Sequence, residues 1–295
     1  MYSDLKYRLV QTESCDLLKT EVSEMDERKG QRQVMCGNLD LGALPTDCFS
    51  LIISLTSPRD ACRLSLVSTA FNSATESDAV WESFLPSQSQ ALIPSSLSFS
   101  SKKQLYLSLC ENPLLIEDGR KSFWLDRASG KKCFMLSPRD LSIIWSVDTP
   151  WYWRWVPKPD ARFDEVAELL KVWWFEIRGR ISIAMLSPMT HYKAYLVFQA
   201  NEVYGFDYYP VKLSVGVVGT EGSKRSAYLQ INNGHDVQFP KARVDGWLEV
   251  EMGEFFNEGC VDDGELEMSA LQIDCEEKKG GLILQGIEIR AITPN

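Results

Sequence analysis

The chain contains 295 residues, carries a formal net charge of −10 and is 44% hydrophobic. Its length is enough for two domains with buried cores, and its composition is typical of a folded globular protein. The acidic balance argues against a nucleic-acid partner and against binding to an anionic membrane surface. No apolar run in the sequence approaches the length of a membrane-spanning helix, and the first 30 residues lack the apolar core of a secretory signal.

The residue pattern gives no support for metal or nucleotide chemistry. The eight cysteines are scattered, with no pair in C-x-x-C spacing, and the sequence has only two histidines, His191 and His235. This spacing predicts no metal site, and the lack of a P-loop and of a G-x-G-x-x-G segment predicts no nucleotide cofactor. Scattered cysteines favour reduced thiols, so we expect a cytoplasmic or nuclear protein.

The first part of the chain divides into a polar arm and a small helical module. Residues 1–38 are polar and mixed in charge, which is typical of a disordered N-terminal arm. Residues 39–86 carry three helical signals, and the clearest has Ser57 as a cap and Pro58 at the first helical position. The apolar residues of this second helix follow at helical spacing: Ala61, Leu64, Val67 and Phe71.

The pattern changes twice after the helical module. Residues 87–130 predict a linker with short helices, because their first part is rich in serine and proline. Over residues 131–295 apolar and polar residues alternate in seven or more short runs separated by turn residues, which predicts an antiparallel sandwich. One helix is expected within it, over Phe163–Lys171, because the apolar residues there have helical spacing. The predicted fold class is therefore multidomain, a small all-α module followed by an all-β sandwich with one or two short helices.

Four of the nine tryptophans lie in the eleven residues that begin at Trp145. Indole rings with a few polar neighbours suit a ligand that has flat apolar faces and hydroxyl edges, as a sugar has. We therefore predict that indole rings of this segment form a stacking platform for a sugar. The alternative is that one or more of them, Trp145 and Trp153 included, pack in the sandwich core, since Trp153 and Trp155 share one face of an extended strand. Trp173 and Trp247 are predicted to be packing residues.

Residues 44–86 resemble an F-box domain. The similarity lies in Leu44-Pro45 at the opening, in Pro58 at the start of the second helix and in Trp81 in the third. The resemblance implies binding to the Skp-family adaptor of a cullin–RING ubiquitin ligase, and a fragment this small is expected to leave apolar side chains for a partner. The adaptor-binding residues that it implies are Leu44, Pro45, Ile52, Leu55, Pro58, Leu64, Val67 and Trp81. The alternative is that these helices only cap the sandwich.

Residues 131–295 resemble the phloem-protein-two lectins, which include the tobacco-agglutinin-type lectins. The similarity is carried by segments such as Ser137-Pro138-Arg139-Asp140, Tyr152-Trp153-Arg154-Trp155, Asp245-Gly246-Trp247 and Asp263-Gly264-Glu265. It implies binding of N-acetylglucosamine-containing glycans by Trp145, Trp153 and Glu265. Gln272 stands at the position of a second acidic residue, so the sugar specificity is expected to differ. The alternative for Glu265 is a solvated acidic loop.

The two resemblances together imply a plant F-box protein with a phloem-protein-two domain. It would act as the non-catalytic substrate-recognition subunit of a Skp–cullin–F-box ubiquitin ligase, with a glycoprotein or oligosaccharide as the ligand of its sandwich. Two alternatives are a free carbohydrate-binding lectin and an F-box adaptor whose sandwich binds a protein degron and no sugar. A third alternative is a glycosidase that uses Glu265 and Glu267, for which a compatible carboxylate spacing is the sole support.

Overall fold

The computed structural model describes residues 44–87, 93, 98–147, 150–230, 239–259, 264–274 and 276–292. Helices occupy the first part of this described chain, and two antiparallel sheets occupy the rest, which confirms the predicted fold class. The predicted N-terminal arm lies outside the described residues. None of the described helices is long and apolar enough to cross a membrane.

Short helices follow one another from residue 46 to residue 84. They are α1 Thr46–Ser54, α2 Pro58–Leu64, α3 Thr69–Thr75 and α4 Asp78–Phe84. The prediction of one continuous helix as far as Phe71 is wrong, because α2 ends at Leu64 and a new helix begins at Thr69. The hydroxyl of Ser68 accepts a hydrogen bond from the backbone N–H of Phe71, 3.3 Å away, and thereby caps α3.

Trp81 lies at the centre of the helical core. Its side chain is 1% exposed, its indole N–H donates to the carbonyl oxygen of Thr75 at 2.6 Å, and its ring packs edge-on against Phe84. Helix α1 buries Phe49 and Ile53 in the same core. A ring enclosed in this way stabilises the helices. Trp81 also lines an apolar groove beside α2, so its contact with an adaptor stays a prediction.

The segment predicted as a linker contains the start of the first sheet. Helix α5 spans Lys102–Glu111, and it is followed by β1 at Leu114–Ile116 and β2 at Lys121–Leu125. These two strands pair with each other, and β2 also pairs with β3 at Lys132–Leu136. The sheet therefore begins at Leu114 rather than near residue 131.

A tight turn before β3 joins the sheet to the helices. The hydroxyl of Tyr106 in α5 donates to the carbonyl oxygen of Arg127 at 3.1 Å. Gly130 has a φ of 69°, and a Cβ atom there would lie 3.2 Å from the carbonyl oxygen of Phe84, so the turn requires glycine. The described residues from Pro45 onward consequently form one compact unit, in which a single hydrophobic core includes side chains from α1 through to the last strand.

The remaining strands complete two sheets that share this core. They are β4 Ser142–Ile143, β5 Trp153–Pro157, β6 Glu165–Leu169, β7 Phe175–Ser182, β8 Thr190–Tyr204, β9 Val211–Val217, β10 Ser223–Ala227, β11 Lys241–Ala242, β12 Leu248–Asn257, β13 Glu265–Gln272 and β14 Gly280–Ile292. One sheet has the order β1-β2-β3-β14-β8-β12-β11, with β6 also paired to β14 and β5 paired to β6. The other sheet has the order β10-β9-β13-β7-β4.

Strand β6 stands where a helix was predicted. Residues Phe163–Lys171 contain no helix, and Glu165–Leu169 pair instead with β5 and β14. This strand is buried on both sides, because Leu169 faces the main core while Val166 packs beside Trp247 in a second, smaller core. A strand covered on both sides loses the alternation of apolar and polar residues, so its sequence also fits helical spacing. The predicted packing role of Trp247 is confirmed.

The described cysteines differ in their access to solvent. Cys62 is exposed, whereas burial raises the pKa of the Cys133 thiol to about 12. Because the thiolate is the reactive form, we expect iodoacetamide at about pH 8 to alkylate Cys62 in the native protein and to leave Cys133 unmodified until the protein unfolds. Mass spectrometry of peptides after a timed labelling pulse measures this difference. Equal labelling rates at the two thiols would contradict the fold.

Candidate functional site

An aromatic cleft lies where β4 and β7 meet. Trp145 follows β4, and Trp174 directly precedes β7. Together with Tyr152, Val172 and Trp173 they line a cavity of about 230 Å³. We call these five residues the aromatic cleft.

Trp145 reaches the cleft through an uncommon backbone conformation. Its φ is 64°, in the left-handed region that residues other than glycine rarely adopt. The side chain is 39% exposed and meets Tyr152 edge-on, with ring centroids 5.8 Å apart. Backbone strain of this kind persists where the surrounding structure enforces it, and it is often found at functional sites. The turn after β4 therefore presents an indole ring to solvent.

The side chain of Lys279 holds the backbone of Trp173, one of the cleft residues, in place. This lysine side chain is 0% exposed, and its ammonium group donates to the carbonyl oxygens of Trp173 at 2.6 Å and Glu277 at 3.0 Å. Val172 and Lys279 also exchange two backbone hydrogen bonds of 2.7 and 2.9 Å. The backbone that carries Trp173 is thus fixed by the segment that leads into β14.

A second cavity, of about 360 Å³, shares two residues with the cleft. It is lined by Trp173, Trp174, Ile273 and Glu276. The indole N–H of Trp174 donates to the carboxylate of Glu176 at 3.0 Å, which fixes the orientation of that ring. The exposed indole faces lie beside the carboxylate of Glu276. Together they supply the stacking surface and the hydrogen-bond acceptor that recognition of a sugar requires.

Trp153 lies outside the cleft, in the core. It is 2% exposed, stacks on Phe175 with ring centroids 6.5 Å apart, and donates its indole N–H to the carbonyl oxygen of Ile144 at 3.1 Å. Pairing with Leu169 of β6 turns its side chain inward. The prediction that Trp153 forms an open stacking platform is therefore wrong, and the alternative of a core residue is confirmed.

Strand β13 separates the two other predicted sugar-binding residues. Glu265 pairs with Ser182 and Gln272 pairs with Phe175, at opposite ends of the same strand. At about 3.4 Å per residue, their Cα atoms are about 24 Å apart. Only the Gln272 end lies near the aromatic cleft, so the structure does not bring Glu265 to Trp145.

Gln272 faces a different, smaller cavity. It is buried, its side-chain N–H donates to the carbonyl oxygen of Tyr209, and its Oε1 atom has no hydrogen-bond partner among the described residues. The cavity of about 170 Å³ beside it is also lined by Lys212 and Asp274, which form an ion pair. Gln272 therefore lines a cavity that shares no residue with the aromatic cleft.

Four of the five cleft residues were not among the predicted sugar-binding residues. Trp173 was predicted to pack in the core, but it is exposed and lines both cavities, so that prediction is wrong. Trp174 was not singled out. The available signal was the tryptophan doublet directly ahead of a strand. Both residues lie in a bend before β7, so the alternation of side chains along a strand does not decide which ring is exposed.

The helices expose a set of large apolar side chains. On α1 and its C-terminal cap the exposed residues lie opposite the buried Phe49 and Ile53. The exposed set is Leu51, Ile52, Leu55, Leu66 and Val67. Of the predicted adaptor-binding residues, Leu44, Pro45, Ile52, Leu55 and Val67 are exposed, Leu64 is half-buried, and Pro58 and Trp81 are buried. The prediction for Pro58 stays a prediction, because this buried residue also lines the apolar groove beside α2.

An apolar groove lies beside α2. Its volume is about 500 Å³, and Leu66, Cys62 and Tyr106 are among its lining residues. Arg59 and Arg127 also line it. The groove brings the exposed Leu66 next to α5, which extends the apolar surface beyond the helices predicted from the sequence.

Comparison with known proteins accounts for both halves of this arrangement. The family model described as Phloem protein 2 matches residues 131–291, and the F-box-like model matches residues 41–87. The chain is 51% identical over 265 residues to F-box protein PP2-B10 of Arabidopsis thaliana, covering 88% of this chain and 97% of the relative. It is 49% identical over 269 residues to F-box protein At2g02240 of the same plant, covering 88% and 83%. The chain therefore belongs to the phloem protein 2 family, as a member that carries an F-box-like domain ahead of its β-sandwich.

Proposed function

We propose that the protein is a substrate-recognition subunit of a Skp–cullin–F-box ubiquitin ligase. The exposed apolar set on the helices carries this proposal. Large apolar side chains that are open to water in a folded monomer mark a surface for a partner protein. The F-box-like match supports the Skp-family adaptor as that partner.

The sandwich would capture the target through the aromatic cleft. We propose an N-acetylglucosamine-containing glycan or glycoprotein as its ligand. Exposed indole rings of Trp145, Trp173 and Trp174 beside a carboxylate support this ligand class, as does membership of the phloem protein 2 family. The protein would act in the cytoplasm or the nucleus.

The chain would perform no bond chemistry itself. The two acidic residues of the glycosidase alternative are poorly suited to hydrolysis, because Glu267 is engaged by Arg178 at 3.1 Å and by Arg180 at 2.8 Å. Glu265 also lies near Arg180, at 3.7 Å. Without a free acid and base the useful effect is a raised effective concentration of the target beside the ubiquitin-transfer machinery.

Trp145→Ala in the full chain should abolish or strongly weaken binding to chitotriose while leaving the fold intact. The reason is that a stacking ring contributes about 1 kcal/mol or more beyond its area, and Trp145 is already partly in solvent. Isothermal titration calorimetry measures the binding, and thermal unfolding tests the fold. Trp151→Ala is the matched control, because Trp151 is exposed and does not line the cleft.

Two outcomes would redirect the proposal for the sandwich. Unchanged chitotriose binding by Trp145→Ala would place the sugar elsewhere on the protein. Absence of binding to every glycan of an array, together with retained capture of the Skp-family adaptor, would favour a protein degron as the target. Glycan binding without adaptor capture would favour a free lectin.

A further inference from the structure

Three lysine ammonium groups surround Trp173. The Nζ atom of Lys278 lies 5.4 Å and that of Lys171 lies 5.7 Å from the centroid of its indole ring. The Nζ atom of Lys279 is bonded to its carbonyl oxygen at 2.6 Å. The positive charge therefore converges on Trp173, one of the two residues that the aromatic cleft and the second cavity share.

This positive charge is poorly compensated by nearby carboxylates. Within the described ranges, none of the three lysines forms an ion pair, and the contacts of Lys279 are neutral carbonyl oxygens. Glu276 is the acidic residue that lines the second cavity, while the carboxylate of Glu176 is already engaged by Arg178 at 2.7 Å. Glu277 directly precedes Lys278 and adds a second carboxylate, so the three lysines outnumber the two glutamates and leave a net positive charge at the mouth of the cleft, on a protein whose net charge is −10.

The two exposed lysines have a physical reason to attract an anion. Their ammonium groups share one indole ring and repel each other, and the buried charge of Lys279 is screened less by water than an exposed charge would be. An anionic group between them would relieve the repulsion. The exposed indole rings of Trp145 and Trp174 would remain available for a sugar ring, because a pyranose stacks through its C–H face and carries its charged substituent at the edge.

We propose that the aromatic cleft selects glycans that carry an anionic substituent, a sulfate ester or a carboxylate, which Lys171 and Lys278 bind. This selectivity rests on the proposed glycan-binding function of the same cleft. It adds a charge requirement that the tryptophans alone do not impose. Lys279 supports the site by fixing the backbone of Trp173 and does not contact the ligand.

Calorimetric titration of the full chain tests this selectivity. The ligands are chitotriose, the same trisaccharide with a 6-O-sulfate, and a trisaccharide of similar size with one uronic acid. We expect the anionic ligands to bind about three- to tenfold more tightly than chitotriose at low salt, since two exposed ion pairs each contribute modestly. The preference should shrink at about 0.5 M salt, where charges are screened within a few ångströms. Comparing the affinities for the sulfated and the uronic-acid trisaccharides identifies which anionic group the cleft prefers.

Matched variants distinguish the effect of the lysine charges from the effect of side-chain shape on the affinity ratio. The double variant Lys171→Ala/Lys278→Ala should lower the ratio of sulfated to neutral affinity to about one, whereas Lys171→Arg/Lys278→Arg should keep it above one. Lys241→Ala, on the edge strand β11, should leave the ratio unchanged. Equal affinity of the unmodified protein for sulfated and neutral ligands would overturn the selectivity and leave the proposed function standing. Failure to bind any of the three ligands would overturn both the selectivity and the proposed glycan-binding role of the cleft.

Discussion

Replacing Trp153 by alanine should lower the free energy of unfolding by about 3–5 kcal/mol, the range expected for removing a fully buried tryptophan. The ring is 2% exposed and stacks on Phe175, and its N–H satisfies the carbonyl oxygen of Ile144. The substitution removes this packing and leaves a buried carbonyl oxygen without its partner. Urea unfolding of the full chain followed by far-UV circular dichroism measures the loss.

Trp151→Ala is the control for the effect of Trp153→Ala. Trp151 is mostly exposed, so its removal should change the unfolding free energy by no more than about 0.5 kcal/mol. The comparison also distinguishes a core role from a sugar-binding role for Trp153. Full stability of Trp153→Ala with complete loss of glycan binding would contradict the buried position described above.

Leu55→Asp and Leu66→Asp should each weaken binding of a Skp-family adaptor at least about tenfold. Burying a leucine at an interface contributes about 1.5–3 kcal/mol, and about 1.4 kcal/mol corresponds to a factor of ten in affinity. These side chains are 81% and 87% exposed in the free protein, so a partner can still bury most of their apolar surface. A carboxylate at either position would in addition have to be desolvated on binding. Surface plasmon resonance with the immobilised adaptor measures the change.

The control for the adaptor experiment is Val244→Asp. Val244 is a fully exposed apolar residue outside the helices, so its substitution should leave adaptor affinity unchanged. All three variants should unfold at nearly the same urea concentration as the unmodified protein, because none of the replaced side chains is buried. Unchanged affinity in both leucine variants would remove the main support for the proposed adaptor surface.

The fold could be predicted wherever a single spacing of apolar residues dominated a segment of the sequence. In β8 the alternating residues Tyr192, Ala194, Leu196 and Phe198 are all buried, as the pattern predicts. The pattern misled where burial on both sides removed the alternation, as in β6. The pattern also misled at Ser68, which caps a new helix. A helix cap depends on the local backbone conformation, and the spacing of apolar residues does not predict that conformation. Strands β1 and β2 escaped prediction because they are short and follow a serine-rich segment.

The site was less predictable than the fold, because exposure depends on the partners of each strand. Trp145 and Trp153 belong to the same aromatic segment, yet one is exposed at a turn and the other is buried in β5. What separates them is the left-handed backbone at Trp145 and the pairing of Trp153 with β6. Neither feature can be derived from residue type. The lysines around Trp173 come together through the bridge between Val172 and Lys279, which joins segments more than 100 residues apart.

The continuous core between the helices and the sheets has a consequence for target choice. Because Tyr106 and Gly130 fix the helices against the sheet, the aromatic cleft has one orientation relative to the exposed apolar residues of the helices. A ligase subunit built in this way would hold each captured glycoprotein at a constant angle and distance from the activated ubiquitin. Only lysines of the target within that reach would be modified. A glycan attached on the wrong side of a target would then lead to capture without degradation.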